Sequence, residues 1–394
     1  MPRLIAAVTG DNHLRPSTWA KHPDLNSDAY TSFRQIIDLC VEHKVPLFLL
    51  GDLFDKAHPD SESVGVYLHA MQRMEEARLA VYYVEGNHDK ADPPWASLHP
   101  WAQHIDGKTV ELGPFKFHGI DFTVAADLPA RLAAIPPGID FLCTHQSWSD
   151  IQPIGHVDGS FEMIPYGLVL LTGDFHVCKA YRGCAANSEP IVAYSPGSTA
   201  MQKLDEPPNK SFFLINEDAL SELSEFNPVP LQSRPFCGVT LATQADFDSF
   251  IARIDTLLDE IAPPYPGLPE VIRKPILRVR YNDVIPEAYT RLVAAAADRF
   301  HLFPEPQHIT SEMVVDVVAT PEGAFDNLIT AVGELCAPGS DVYNGVTRLL
   351  ESNDPKQEIA DMFEEYKQRH AQHSQPRQDA PGVPASDVVG SPTE

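Results

Sequence analysis

Five short apolar runs in the first half of the chain each stop at a carboxylate, an amide or an imidazole, and this recurrence constrains the fold more than any other feature. The clearest is Leu47-Phe48-Leu49-Leu50, which ends in Gly51-Asp52-Leu53-Phe54-Asp55. Four apolar residues in a row read as a strand buried on both faces. Leu4 to Val8 leads into Thr9-Gly10-Asp11-Asn12-His13, and Val81 to Val84 into Glu85-Gly86-Asn87-His88-Asp89. Ile139 to Cys143 leads into Thr144-His145-Gln146, and Leu168 to Leu171 into Thr172-Gly173-Asp174-Phe175-His176. Open α/β sheets place ligands at the C-terminal edges of their strands, where loops converge on a rigid base. The donors delivered there are hard or borderline O and N groups with no cysteine among them. Such a set suits Mn²⁺, Fe²⁺, Zn²⁺ or Mg²⁺ and points to a two-metal hydrolytic centre.

The ordered series Asp-x-His, Gly-Asp-x-x-Asp, Gly-Asn-His-Asp, Thr-His-Gln and Gly-x-x-His resembles the calcineurin-like metallophosphoesterase superfamily. Within it, Gly51-Asp52-Leu53-Phe54-Asp55 and Ser195-Pro196-Gly197-Ser198 resemble the SbcD-type double-strand-break repair nucleases and their phage recombination relatives. The motifs span residues 1 to about 216. The resemblance implies an α/β fold: a four-layer α/β/β/α sandwich with a smaller α+β capping domain and C-terminal helices. It implies Asp11, His13, Asp52 and His176 as ligands of one cation and Asp52, Asn87, His145 and Asp174 as ligands of a second, Mn²⁺ foremost. Asp52 is the bridge, because one carboxylate serves two cations ~3.5–4 Å apart. His88 matches the histidine that faces the scissile phosphate and protonates the leaving oxygen. Asp55 matches a position that orients this histidine, where a carboxylate would hold its charge and tautomer. SbcD-type nucleases usually carry histidine where this chain has Asp174. The change takes the ligand charge from −2 to −3 and favours harder metals.

The activity implied is metal-dependent DNA exonuclease or endonuclease cleavage in recombination, repair or end processing. The partners implied are DNA and an SbcC-type SMC-like ATPase, with a homodimer inside that complex. The net charge of −26, from 29 basic and 55 acidic residues, conflicts with tight autonomous DNA binding, since phosphates repel such a surface. Either bound metals and a few basic residues engage DNA, or a basic partner supplies the grip. A small-molecule phosphodiesterase or phosphatase is the alternative function.

Between the motifs, Asp28 to Lys44 carries Phe33, Ile36, Ile37, Cys40 and Val41, the stripe of an amphipathic helix. Ser61 to Arg78 repeats the device after a plausible N-cap at Asp60 or Ser61. The strand–helix alternation predicts a largely parallel first sheet. Thr109 to Leu112, Phe115 to Ile120, Ile191 to Tyr194 and Ser211 to Ile215 predict a second, mixed sheet. Asn227-Pro228-Val229-Pro230 reads as a proline-rich connector to the smaller unit. That unit has a helix over Asp246 to Ile261, a loop at Pro263-Pro264-Tyr265-Pro266, a strand over Ile276 to Tyr281, a helix over Pro286 to Phe300 and a strand over Met313 to Val318. Arg278 and Arg280 share one strand face, either solvated or touching phosphate. Trp95 and Trp101 either pack or stack on an unpaired base. His58, His69, His99, His118 and His156 hold no motif position.

The expected divisions are a nuclease domain over 1–230, a capping domain over 231–320, an ATPase-docking helical region over 321–370 and a disordered tail over 371–394. Helices are expected over Glu322 to Cys336 and Asp354 to His370. The six cysteines lack a close CxxC pair and read as free thiols in a reducing compartment. No apolar run approaches the ~18–20 residues of a membrane span and the first residues do not look like a signal peptide, so a cytoplasmic protein is expected.

Overall fold

The computed structural model describes residues 3–19, 25–152, 156–220, 228–261, 269–282, 286–307 and 348. The expected strand over Met313 to Val318, the two C-terminal helices, the docking region apart from residue 348, and the tail lie outside these residues, as does the loop at Pro263-Pro264-Tyr265-Pro266.

The chain opens with β1 (Leu4–Thr9), α1 (Asp28–His43), β2 (Leu47–Leu50), α2 (Ser61–Glu76), β3 (Val81–Val84) and β4 (Ala102–His104). β1 to β4 are mutually parallel, as the strand–helix alternation predicts. Asp60 is the N-cap of α2, its side chain accepting from the peptide N–H groups of Glu62 and Ser63. Then follow β5 (Thr109–Leu112), β6 (Phe115–Ile120), α3 (Leu128–Ala133), β7 (Phe141–His145), β8 (Val169–Gly173), β9 (Lys179–Cys184), β10 (Pro190–Ser195), β11 (Ser211–Asn216) and β12 (Pro228–Pro230). They complete two six-stranded sheets, β12-β11-β1-β2-β3-β4 and β5-β6-β7-β8-β10-β9.

Two expectations change here. The strand expected over Ser211 to Ile215 joins the first sheet, antiparallel to β1, and not the second. Pro228-Val229-Pro230 is an edge strand paired with β11 and not a connector leading away. Proline has no N–H to give a second neighbour, so an edge is where such a strand belongs.

Alternation along β2 shows how the layers are held. Leu47 and Leu49 join Phe33, Ile36, Ile37, Tyr67 and Met71 under α1 and α2. Phe48 and Leu50 turn to the other face and meet the second sheet, where Phe48 stacks on Phe117 and Phe117 on Phe141 at centroid distances of 4.6 and 4.7 Å. A third cluster, with Trp148 and Phe161 fully buried, covers the outer face of the second sheet. The order is thus helix, sheet, sheet, helix, with only the six-residue α3 and loops in the outer layer.

The smaller unit comprises β13 (Phe236–Leu241), α4 (Gln244–Ala252), α5 (Ile254–Ile261), β14 (Ile276–Asn282), α6 (Pro286–Ala296) and β15 (His301–Gln307), its three strands parallel in the order β13-β14-β15. The helix expected over Asp246 to Ile261 is broken at Arg253, whose φ of −108° and ψ of 9° turn the axis between α4 and α5. Leu277 and Val279 enter this unit's core. Arg278 and Arg280 take the opposite face and both bond Glu305, at 2.8 and 3.2 Å.

One buried cation joins this unit to the sandwich. Arg234, 5% exposed, bonds both carboxylate oxygens of Asp28 at the start of α1, at 2.9 and 2.7 Å. It also donates to the peptide oxygens of Val271 and Lys274 at 3.0 and 2.9 Å, and of Asn26 at 3.3 Å. Removing one partner of a buried ion pair strands the other charge. Arg234→Met should therefore destabilise the chain by about 3–5 kcal/mol in urea unfolding. A loss below about 1 kcal/mol, the size of an exposed pair, would contradict this reading.

Candidate metal centre

The C-terminal ends of β1, β2 and β3 in one sheet and of β7 and β8 in the other meet at one place, and all seven expected ligands are there. Asp11 and His145 are completely buried, and Asp52 and His13 are 3% and 4% exposed. Asp52 Oδ2 lies 3.7 Å from His13 Nε2 on one side and 3.5 Å from His145 Nε2 on the other, as a bridging carboxylate would. His176 Nε2 is 3.3 Å from His13 Nε2 and 3.7 Å from Asp11 Oδ1. On the opposite side Asn87 Oδ1 is 3.1 Å from His145 Nε2. Asp174 Oδ1 is 3.9 Å from His145 Nε2, while its other oxygen accepts from Ser147 Oγ.

The backbone is shaped for this convergence. Asp11, His13, Asp52 and Asp174 sit at φ of 48°, 42°, 48° and 80°, a conformation costing on the order of 1–3 kcal/mol per residue unless the surroundings enforce it. Two motif glycines are required by proximity. A Cβ on Gly86 would fall 2.1 Å from Asp52 Oδ1, and one on Gly173 would fall 2.3 Å from the Leu50 carbonyl oxygen.

Each imidazole has a defined tautomer wherever its second nitrogen meets an oxygen that can only accept. His145 Nδ1 donates to the Leu50 carbonyl at 2.7 Å, and His176 Nδ1 donates to Glu206 Oε1 at 2.8 Å. Once deprotonated, both present an Nε2 lone pair to the centre. Two buried carboxylates, the partly exposed Asp174 and three imidazoles fit divalent cations. Asp11, His13 and His176, and again Asp11, Asp52 and His145, bring their ligand atoms within 4.8 Å of one another. The residues suited to one cation are Asp11, His13, Asp52 and His176, and those suited to a second are Asp52, Asn87, His145 and Asp174.

His88 stands at the rim. Its backbone N–H donates to Asp52 Oδ1 at 2.9 Å, its Nδ1 donates to the backbone carbonyl of Asp55 at 2.7 Å, and its side chain is 41% exposed. Asp55 thus orients His88 through its main chain and not through the expected carboxylate. That carboxylate is turned to Arg15 at 2.6 Å and to His13 Nδ1 at 3.6 Å, because the nearby guanidinium competes for it. Further residues hold the site that sequence reasoning gave no role. Asp89 accepts from the N–H groups of Leu53, Phe54 and Gly86, tying the Asp52 and Asn87 loops together. Glu206, Lys210, Arg15 and Ser147 were also passed over. Trp95 and Trp101 are packing residues, their indole N–H groups donating to the Ala57 and Leu79 carbonyls.

Burial pushes the Asp11 carboxyl up to about 7 and pulls the His13 imidazole down to about 3. Burial opposes a charge on His145 and His176, yet Asp52 raises the first and Glu206 the second. A cation must displace protons from Asp11, His145 and His176, while His13 is already neutral, so every contributing group acts in the same direction. Mn²⁺ affinity should fall as pH drops from 8 to 6, with proton release on binding, when followed calorimetrically in buffers of different ionisation enthalpy. Affinity flat over that interval would contradict the assignment.

Residues 6–166 match the calcineurin-like phosphoesterase family. The chain is similar to the DNA double-strand break repair protein Mre11 of Methanocaldococcus jannaschii, 22% identical over 272 residues, covering 62% of this chain and 71% of that protein. It is also similar to a Bacillus subtilis metallophosphoesterase, YhaO, 29% identical over 103 residues, 26% of this chain and 24% of that one. Among solved structures, TT1561 of Thermus thermophilus aligns with a TM-score of 0.34 at 15% identity, over 54% of this chain and 98% of that one. Residues 6–166, which supply Asp11, His13, Asp52, Asn87 and His145, thus form a calcineurin-like phosphoesterase domain, the domain of a hydrolase family acting on phosphoester bonds.

Proposed function

We propose that the chain is a metal-dependent phosphodiesterase that cleaves the DNA backbone, in recombination, repair or end processing. The observation that carries the reading is the rim histidine. His88 Nδ1 is fixed by the Asp55 carbonyl, which leaves Nε2 3.9 Å from Asp52 Oδ2 on a side chain open to solvent. An imidazole so placed can hand a proton to a leaving oxygen of a substrate seated against the buried carboxylates. Divalent cations at the centre would supply Lewis acidity toward phosphoryl oxygens and a more acidic water. The similarity to an archaeal double-strand break repair protein runs over 272 residues, well beyond the segment that matches the phosphoesterase family, and supports a nucleic-acid substrate.

The charge of −26 favours a second reading, a small-molecule phosphodiesterase or phosphatase, unless a partner supplies a basic surface. Within the nuclease reading we assign that part to an SbcC-type ATPase docking through residues 321–370, with the nuclease as a homodimer.

Incubation with linear duplex DNA, single-stranded DNA and bis-p-nitrophenyl phosphate in Mn²⁺ or Mg²⁺ separates the readings. Cleavage of DNA is expected, and His88→Ala should lower it by ~10²–10⁴-fold with metal stoichiometry unchanged. Turnover of the small ester with both DNAs untouched would overturn the nuclease reading. Loss of bound metal in His88→Ala would move His88 into the coordination set.

A further inference from the structure

The loop between Ser195 and β11 holds a charged pair that the phosphoesterase motifs do not include. Glu206 Oε1 accepts from His176 Nδ1 at 2.8 Å. Its other oxygen, Oε2, is held by three donors, Lys210 Nζ at 2.8 Å, the peptide N–H of Gln202 at 2.9 Å and Ser198 Oγ at 3.1 Å. Lys210 is 3% exposed, and its ammonium reaches Ser198 Oγ at 2.8 Å as well. A lysine so buried needs a paired anion, and Glu206 provides it without altering the net charge that the metal ligands present.

The same loop is tied down on two further sides. The Gln202 side chain accepts from Arg15, which pairs with Asp55, the residue whose carbonyl holds His88. The Leu204 carbonyl accepts from Arg278 of β14 at 3.0 Å, and Leu204 packs against the cluster of Leu25, Ile276 and Phe303. The loop is thereby anchored to the smaller unit while its carboxylate faces a ligand of the centre.

We propose that Glu206, locked in place by Lys210, is the positioning residue for His176, fixing its tautomer and ring orientation so that Nε2 is presented to a divalent cation. The physical reason is general. A ligand histidine whose second ring nitrogen donates to a carboxylate cannot rotate and is a stronger base at the other nitrogen. This rests on reading the centre as a metal site, and the test separates the two claims.

Mn²⁺ alone is the probe, titrated calorimetrically into the full chain, with thermal melting in EDTA to confirm that each variant folds. Glu206→Ala should weaken one class of sites by about 10–100-fold, with Glu206→Gln intermediate. In a His176→Ala background the further effect of Glu206→Ala should shrink to less than about threefold, because a residue acting through His176 has nothing left to position. Should Glu206→Ala fail to fold, Glu206→Gln and Lys210→Met are read in the same cycle. Unchanged affinity in the Glu206 variants, or a loss of equal size with and without His176, would overturn the proposal while leaving the metal site intact. A parent chain that binds no Mn²⁺ would overturn the metal-site reading and the proposal together.

Discussion

The centre depends on one hydrogen bond between sheets, from His145 Nδ1 at the end of β7 to the carbonyl of Leu50 at the end of β2, 2.7 Å long and shut off from solvent. It joins the two sheet edges where the ligands emerge and sets which nitrogen of His145 faces Asp52. It also forces small residues around it, since a Cβ on Gly51 or on Gly173 would fall 2.6 or 2.5 Å from His145 Nδ1. The apolar contact of the sheets, with Phe48, Phe117 and Phe141 stacked in series, brings these edges together. Hydrophobic packing is non-directional and sets only the approach. The buried polar contact then selects one register, since an unpaired carbonyl and imidazole there would each carry a desolvation cost.

How much of this was legible follows from the range of each signal. Leu47–Leu50 and Val81–Val84 were read residue for residue, because a strand buried on both faces is an unbroken apolar run bounded by glycine. The seven residues that converge at the centre could be located for the same reason, since each follows the end of such a run. Of the described strands at sheet edges, only Thr109–Leu112 was read. β9 is exposed along most of its length, and β15 carries Pro304 and Pro306, which argue against a strand until its edge position is known. Long-range polar partners left no trace in pattern at all. Glu206 lies 30 residues from His176 and Asp55 lies 33 from His88, in loops without periodicity. The Asp55 reading went astray for that reason. Position named the right residue, but only coordinates show that Arg15 takes its carboxylate and leaves the carbonyl for His88.

Charge organises the rest. Asp11, Asp52 and Asp174 converge with imidazoles as their ion-pair partners among the described residues, and Lys210 pairs with Glu206. Asp174 adds one more negative charge to this set, and Ser147 occupies one of its oxygens. In the absence of cations burial keeps His13 neutral and the proton on Asp11, while Asp52, whose charge burial opposes, is held ionised by the His145 imidazole. The backbone strain at four of these positions is maintained by the surrounding core.

The central claim is that Asp52 joins two cation sites, each drawn from both sheets. Anomalous scattering from crystals soaked in Mn²⁺ tests it most directly. Two peaks are predicted, both in contact with Asp52, one beside His13 and His176 and the other beside Asn87 and His145. A single peak, or two of which only one touches Asp52, would contradict the account.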